Sequence, residues 1–225
     1  MASKYFVGVD LGRQRDHSAI AVVERVERVV HGEHPKLRGI LVRYVERLPL
    51  GTSYVEVVAR VREIATDYFI RTKCTVVVDA TGVGEPVVDM LRQARLGCEI
   101  VAVTITGGDR ENDAGSTGQA PRCSVPKKDL IGGLQALLEK REMRIAADIP
   151  EVGALVKELI DMRVVAREGG RVQIGAEGPG EHDDLVIALA LAVWKATKPV
   201  RYMNGPGMAP GLMAYAPGGP GDRWS

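Results

Sequence analysis

The spacing of the first three apolar segments constrains the fold more than any other feature of the sequence. These segments are YFVGVD (5–10), SAIAVVERV (18–26) and LRGILVRYVERL (37–48). Each has the pattern of a strand, and the polar connections between them leave no room for helices. We therefore predict that the chain begins as an antiparallel three-strand meander.

The pattern changes beyond residue 50 to an alternation of helices and strands. Ser53 and Glu56 stand three residues apart, as in a capping box at a helix start. The β-branched run CTVVVDA indicates a strand that is covered on both faces. The segments in order are a helix at 53–71, a strand at 74–80, a helix at 84–94 and a strand at 99–105. This order is typical of parallel pairing and predicts an α/β mixed sheet flanked by helices.

The remainder of the chain contains three more helix patterns. We predict a long polar loop at 106–125, a hairpin at 162–175 that turns at Gly169-Gly170, and a disordered or partner-docking tail at 199–225, which is rich in Gly, Pro and Met. The helices are predicted at 126–143, 149–165 and from about 183 to 196. One domain at 1–198 followed by the tail is the domain organisation that we expect.

Composition excludes several classes of protein. The 225 residues carry a formal net charge of +1, so any binding of a polyanion must depend on a local basic patch. Three cysteines without CxxC spacing provide neither a disulfide framework nor a thiolate zinc site, and they suit a reducing compartment. Neither a signal peptide nor a membrane-length apolar run occurs, so we expect a soluble cytoplasmic protein.

Two adjacent aspartates, Asp183 and Asp184, begin the most apolar helix of the chain. An aspartate at a helix start usually caps free backbone N–H groups and interacts favourably with the helix dipole. That explanation suits one aspartate better than two. Residues 185–194 are apolar on every side, which indicates a buried helix. Carboxylates near a core are costly unless a cation meets them.

Two further aspartates follow strands in a similar way. Asp10 ends the first strand and Asp79 ends the β-branched strand, and a glycine follows each within a few residues. Either one alone is typical of a turn-capping motif. Together with the helix pair they form three acidic positions. Such hard oxygen ligands suit Mg²⁺ or Mn²⁺.

The motifs GVDLG, VVVDATGVGEPVVDML and HDDLVIALALA resemble the nuclease domain of phage terminase large subunits over roughly residues 5–196. The resemblance implies a ribonuclease H-like (retroviral integrase superfamily) mixed sheet, with an antiparallel three-strand meander plus parallel strands. It implies catalytic, metal-binding roles for Asp10, Asp79 and one or both of Asp183 and Asp184.

Two positions modify that resemblance. Asp16 matches an accessory acidic position of some members, and an ordinary turn aspartate is the alternative. Relatives often have another aspartate where this chain has Ile187, which places more weight on Asp183 and Asp184. We expect Asp184 to be the metal ligand, because its helix face is the one that must pack on the sheet. Asp183 would then cap the helix or reach a second ion.

The activity implied by the resemblance is cleavage of double-stranded DNA with two divalent ions. Asp10 is expected to be shared by both ions. His182 is either a phosphate or proton contact or, more simply, a satisfied helix-start residue. Aromatic residues make up only 4% of the chain, so sequence-specific base stacking is not expected. The candidate phosphate-binding cations are Arg13, Arg15, Arg110, Arg122, Lys127, Lys128, Arg167 and Arg171.

Terminase large subunits also carry an ATPase domain with a GxxxxGK[ST] motif, which does not occur here. We therefore expect a packaging ATPase, a small terminase subunit or a portal on other chains, or a nuclease domain expressed alone. Three alternatives remain. A sugar kinase, Hsp70 or actin relative shares GVDLG but needs two such domains. A Holliday-junction resolvase shares the fold and chemistry. A non-catalytic ribonuclease H-like module would only bind a partner.

Overall fold

The computed structural model describes residues 4–12, 16–28, 36–67, 74–82, 85–114, 122–166, 172–175 and 182–198. The strands are β1 (Lys4–Asp10), β2 (Ala19–Arg28), β3 (Lys36–Arg47), β4 (Cys74–Asp79), β5 (Glu99–Thr106), β6 (Asn112–Ala114), β7 (Arg122–Pro126), β8 (Met143–Ile145), β9 (Arg163–Ala166) and β10 (Val172–Gly175). The helices are α1 (Tyr54–Thr66), α2 (Glu85–Gln93), α3 (Lys127–Glu139), α4 (Val152–Asp161) and α5 (Asp184–Thr197).

Eight of these strands form one mixed sheet in the order β6-β7-β5-β4-β1-β2-β3-β8. β1, β2 and β3 are the predicted antiparallel meander. β4 lies parallel to β1, β5 to β4, and β7 to β5. The predicted α/β architecture, an antiparallel meander joined to parallel strands and flanked by helices, is therefore confirmed.

The prediction of one uninterrupted loop at 106–125 is wrong. β6 and β7 lie within that range and pair antiparallel, and β7 also extends the parallel side of the sheet. Both strands contain polar residues, so a prediction based on apolar runs does not detect them. One end of this sheet therefore carries the short polar strand β6, as edges commonly do.

Helix ends also differ from their predicted positions. α3 ends at Glu139 rather than near 143, because the chain turns at Arg141, which has a φ of 57°. The following residues form β8, parallel to β3, where the sequence predicted helix. α4 is likewise shorter than predicted. Local pattern cannot show that the third strand has an open edge for β8 to join.

The predicted hairpin is present as β9 paired antiparallel with β10 in a separate two-stranded sheet. Its turn at Gly169-Gly170 lies outside the described residues, as do residues 199–225. All three cysteines are free thiols. None of the helices in the described ranges combines the length and the apolar character needed to cross a membrane.

The two faces of the sheet pack against different helices. Val7, Val9 and Val78 belong to the core beneath α1 and α2. Phe6 and Val77 belong to the core beneath α3, α4 and α5. Side chains alternate along a strand, so Asp10 and Asp79 project from the α5 face. α5 itself is buried along nearly its whole length.

Gly8 determines how closely α5 approaches the sheet. A Cβ atom at this position would overlap the carbonyl oxygen of Ala188 and would lie 2.8 Å from the nitrogen of Ala192. Only glycine allows the backbones of β1 and α5 to meet in this way. Because Gly8 and Asp10 lie on the same face of β1, the contact also places the start of α5 near Asp10.

Candidate active site

Two of the predicted site residues lie side by side at one end of the sheet. Val9 of β1 pairs with Val78 of β4 in the parallel ladder, and Asp10 and Asp79 are the next residue of each strand. Neighbouring strands are about 4.8 Å apart. The antiparallel partner of Asp10 on its other side is Ala19. The carboxylates therefore project from adjacent strands toward α5.

The first turn of α5 supplies the other two carboxylates. Asp183 is the N-cap residue and Asp184 is the first helical residue. The helix begins here with the bond from the Ile187 N–H to the Asp183 carbonyl, at 2.8 Å. Asp184 is only 7% exposed, on the face that packs on the sheet. A charged residue this deeply buried needs compensation by opposite charge.

The pKa of Asp10 shows that these carboxylates interact. Burial raises this pKa well above the ordinary aspartate value, and the negative charges of Asp79, Asp184 and Asp183 raise it further. Lys127 acts in the opposite direction. The structure thus brings the four predicted aspartates within electrostatic reach of one another. Such a cluster of like charges favours either protonation or a cation.

Two carboxylates of this cluster form hydrogen bonds with other groups of the chain. Asp79 Oδ1 accepts a hydrogen bond from the Thr81 N–H at 2.8 Å, and Asp183 Oδ2 accepts one from Lys127 Nζ at 2.7 Å. Within the described ranges, no three His, Cys, Asp or Glu side chains are already arranged around a point that could hold a metal ion. Asp79 and Asp183 are therefore each engaged by a hydrogen-bond donor of the chain itself.

Asp184 is the member that retains an unused ligand atom. Its Oδ2 is buried and has no hydrogen-bond partner in the described part of the chain, although Arg47 Nε lies 3.8 Å away and His182 Nδ1 lies 3.5 Å away. Burial raises the pKa of Asp184, and the charges of His182 and Arg47 partly offset this increase. A buried carboxylate oxygen without a donor is suited to a hard cation.

The predicted capping role of the Asp183 side chain is wrong. It makes no hydrogen bond to the backbone N–H groups of α5 and forms an ion pair with Lys127 instead. A residue of α4, Glu158, accepts the hydrogen bond from the Val186 N–H at 3.1 Å. Lys127 is the first residue of α3, which follows β7, so tertiary contact draws Asp183 away from its own helix.

Sequence reasoning missed Arg47 and Glu158. Arg47 Nη2 donates to Glu158 Oε1, and Glu158 is only 5% exposed. A signal for Glu158 existed, because it lies three residues after the fully buried Leu155, on the apolar face of its helix. Arg47 ends β3 in register with Ala19, which pairs with Asp10, so it lies in the same row of the sheet as the site.

Two histidines border the same place. The rings of His17 and His182 meet edge to face, with centroids 5.3 Å apart. His17 Nδ1 lies 2.8 Å from the carbonyl oxygen of Leu48, which positions the ring as a donor. His182 therefore has both His17 and Asp184 as neighbours, and it is not an isolated helix-start residue.

The remaining candidates are only partly described. Asp16 is exposed and does not contribute to the raised pKa of Asp10. Lys128 pairs with Asp109 at 2.5 Å, outside the carboxylate cluster. Arg110 is exposed and Arg122 is partly buried. Arg13, Arg15, Arg167 and Arg171 lie outside the described residues.

Comparison with solved structures shows which class of fold this is. The large terminase nuclease of thermophilic phage G20c with bound magnesium is similar, with a TM-score of 0.61, 24% identity and coverage of 86% of this chain and 82% of that chain. The large terminase nuclease domain of bacteriophage SPP1 with bound Mn has a TM-score of 0.52 and 11% identity, covering 85% and 86%. The human cytomegalovirus terminase nuclease domain, soaked with Mn, has a TM-score of 0.50 and 10% identity, covering 85% and 81%.

No family model and no curated protein sequence matches the chain. The structural likeness therefore establishes the fold: a ribonuclease H-like domain with the architecture of terminase nuclease domains. This agrees with the fold that the sequence motifs predicted. The carboxylate cluster occupies one end of the central strands β1 and β4 of that fold.

Proposed function

We propose that this chain is a divalent-metal-dependent endonuclease that cleaves double-stranded DNA with little sequence preference, as the nuclease part of a viral DNA-packaging terminase. The observation that carries the proposal is the convergence of Asp10, Asp79, Asp183 and Asp184 at one end of the sheet. The similar structures from G20c and SPP1 are terminase nucleases with bound Mg or Mn.

The residues fit a divalent cation. Carboxylate oxygens are the preferred ligands of Mg²⁺ and Mn²⁺, and Asp184 Oδ2 is buried with no hydrogen-bond donor among the described residues. Asp10, Asp79 and Asp184 would hold the metal, with Asp183 beside them. Two such ions supply positive charge at the scissile phosphate and lower the pKa of water.

The chain itself determines where those carboxylates stand. Asp10 and Asp79 are held by paired strands, and Asp184 by a helix that is seated on Gly8. Ligands mounted on regular elements keep their geometry better than ligands on loops. The Lys127 ammonium group offsets the charge of Asp183, and the Thr81 N–H satisfies one oxygen of Asp79.

Lys127 and Lys128 would contribute to DNA binding from the start of α3. Both ammonium groups form ion pairs with aspartates near the surface, at 2.7 and 2.5 Å. Exposed ion pairs contribute little to stability, so phosphates can replace the aspartates as partners. Contacts of this kind bind the DNA backbone without reading bases and weaken as salt increases.

A plasmid-cleavage assay tests the proposal. Purified protein is incubated with supercoiled plasmid in Mg²⁺, Mn²⁺ or EDTA, and a four-way junction is a parallel substrate. We expect nicked and linear products with either metal and none in EDTA. Asp10→Asn should be inactive. Asp89→Asn, in the exposed ion pair with Arg92 on α2, is the matched control and should remain active.

An intact plasmid at every protein and metal concentration would overturn the proposal. Cleavage restricted to the four-way junction would instead indicate a resolvase. A packaging ATPase, a small terminase subunit or a portal protein is the proposed protein partner, because a packaging nuclease must act on DNA that a motor delivers.

A further inference from the structure

A partly buried ion pair lies beside the start of α5. Arg47 Nη2, from the end of β3, donates to Glu158 Oε1, from α4. The other carboxylate oxygen, Oε2, accepts the hydrogen bond from the Val186 N–H at 3.1 Å. Glu158 is thus fixed at both oxygens, once to a cation and once to the first turn of the helix that carries Asp184.

The same guanidinium faces Asp184 without bonding to it. Arg47 Nε lies 3.8 Å from Asp184 Oδ2, which is too long for a hydrogen bond. Both atoms are buried, and neither has a hydrogen-bond partner among the described residues. A buried donor and a buried acceptor so close together normally move into contact, because each gains a charge-assisted hydrogen bond.

The two contacts of Glu158 explain why the guanidinium and Asp184 remain apart. An arginine beside two carboxylates can satisfy only those that its planar fork reaches. Glu158 accepts the hydrogen bond from the terminal Nη2 of Arg47. The second hydrogen bond of Glu158, from the Val186 N–H, holds the Glu158 carboxylate in place, so the guanidinium cannot move toward Asp184 without losing this partner. Arg47 therefore offsets the charge of Asp184 at a distance without occupying its oxygen.

We propose that Glu158 tethers Arg47 and thereby keeps Asp184 Oδ2 available to a divalent cation. The inference rests on the proposed function, in which Asp184 is a metal ligand. Glu158 and Arg47 are positioning residues and touch neither substrate nor ion. If the tether is lost, the guanidinium rotates onto Asp184 and competes with the cation for it.

A merely structural ion pair makes a different prediction. If the pair only supports the fold, removing either partner leaves an uncompensated buried charge, and both substitutions lower stability and metal affinity in parallel. If Glu158 is a tether, the two substitutions act in opposite directions. Glu158→Gln frees a competitor for Asp184, whereas Arg47→Gln removes that competitor.

The test measures Mn²⁺ affinity directly, without DNA, from the EPR signal of free Mn²⁺ in titrations of the full chain. Glu158→Gln keeps an oxygen that can accept from the Val186 N–H but removes the charge that holds Arg47. It therefore tests the contact with Arg47 separately from the capping of α5. We expect it to weaken Mn²⁺ binding about tenfold or more, as loss of outer partners of metal ligands commonly does. Arg47→Gln should bind Mn²⁺ at least as tightly as wild type.

The double variant Glu158→Gln with Arg47→Gln contains neither charge and keeps two amides that can bond to each other. It should recover Mn²⁺ affinity to within about threefold of wild type, since the competitor is absent. Thermal melts of the metal-free proteins accompany each titration. They establish that each variant is folded under the conditions of the binding measurement.

Several outcomes would overturn the inference. Wild-type affinity in Glu158→Gln, parallel weakening in both single variants, or no recovery in the double variant each excludes a tether. If Glu158→Gln does not fold, Arg47→Gln decides the question alone, because weakened Mn²⁺ binding in it contradicts the proposal. Absence of Mn²⁺ binding by wild type, or binding unchanged by Asp10→Asn, would instead reject the proposed metal site itself.

Discussion

The first turns of α1 and α5 obtain hydrogen-bond acceptors for their backbone N–H groups in different ways. In α1 the Ser53 N–H donates to Glu56 Oε2 at 2.8 Å, and the Glu56 N–H donates to Ser53 Oγ at 3.3 Å. This cap is complete within four consecutive residues. In α5 the N-cap residue Asp183 forms no side-chain cap, and Glu158 supplies the acceptor from a different helix.

The difference shows what each helix start contributes to the molecule. Helix α1 is capped by exposed residues far from the carboxylate cluster, so its cap contributes stability alone. Helix α5 leaves both of its aspartate side chains free of capping bonds, and they face Lys127, Arg47 and the strand ends. Because Glu158 of α4 caps α5, the aspartates at the start of α5 are available for metal binding.

The largest expected effect separates the two aspartates of α5. Asp184→Ala should reduce plasmid cleavage by more than about a hundredfold, a loss that even outer partners of metal ligands can cause. Asp183→Ala should retain part of the activity and nearly all of the thermal stability, because it removes only a half-exposed ion pair with Lys127. Cleavage rates and melting temperatures check both. Equal, total loss in both folded variants would mean that both aspartates are metal ligands.

The next effect tests how much the close contact between α5 and β1 at Gly8 contributes to the stability of the protein. Gly8→Ala places a methyl group against the backbone of Ala188 and Ala192 and should destabilise the protein by about 3 kcal/mol or more. Denaturant unfolding measures this. Gly132→Ala in α3 is the matched control, since a Cβ there meets nothing within 4 Å. Similar stability in both variants would show that α5 can shift without cost.

A smaller effect concerns the charge cluster that α5 helps to form. Burial and the neighbouring carboxylates raise the pKa of Asp10 in the folded state. A protonated Asp10 therefore favours folding below the ordinary carboxyl pKa, about 3.9, and this contribution is lost as pH rises through the raised folded pKa. Between these two pKa values the fold therefore loses stability as pH rises.

Asp10→Asn should accordingly raise the melting temperature in EDTA at about pH 7 by roughly 2–4 °C or more, and the gain should vanish near pH 3. Melting curves of both proteins across this pH range supply the comparison. A lower melting temperature at neutral pH would show that Asp10 acts mainly through hydrogen bonds within its turn.

The smallest effect belongs to the local cap. Ser53→Ala removes the acceptor for the Glu56 N–H and should lower the melting temperature by about 2–4 °C, with the cleavage rate unchanged. Ser53→Asp keeps an acceptor and should be close to wild type. Any loss of cleavage in folded Ser53→Ala would contradict the view that this cap serves stability alone.

The sequence predicted much of the fold because its cues are local. Ser53 with Glu56, the β-branched strand at 74–79 and the short connections of the meander each depend on neighbouring residues. The positions of β6, β7 and β8 were missed because short strands at or next to a sheet edge acquire their conformation from pairing partners. Edge strands of three to five residues carry little periodicity of their own.

The candidate site divides in the same manner. Asp10, Asp79, Asp183 and Asp184 could be selected from sequence, because each carboxylate stands beside a strand end or helix start in an otherwise apolar context. Arg47 and Glu158 could not. Each belongs to an ordinary amphipathic or strand pattern. The register of the sheet brings Arg47 to the cluster, and the packing of α4 against α5 brings Glu158.

The sequence by itself determined the order of the longer strands and helices, the apolar character of α5 and the carboxylates at its start, since periodicity and residue type are properties of the chain alone. The tertiary structure decided which charges meet. It drew Asp183 to Lys127 rather than to its own helix, and it placed Arg47 within 3.8 Å of Asp184 without a hydrogen bond. Electrostatic and hydrogen-bonding partners depend on distances through space, which residues far apart in the chain acquire only when the sheet and its helices assemble.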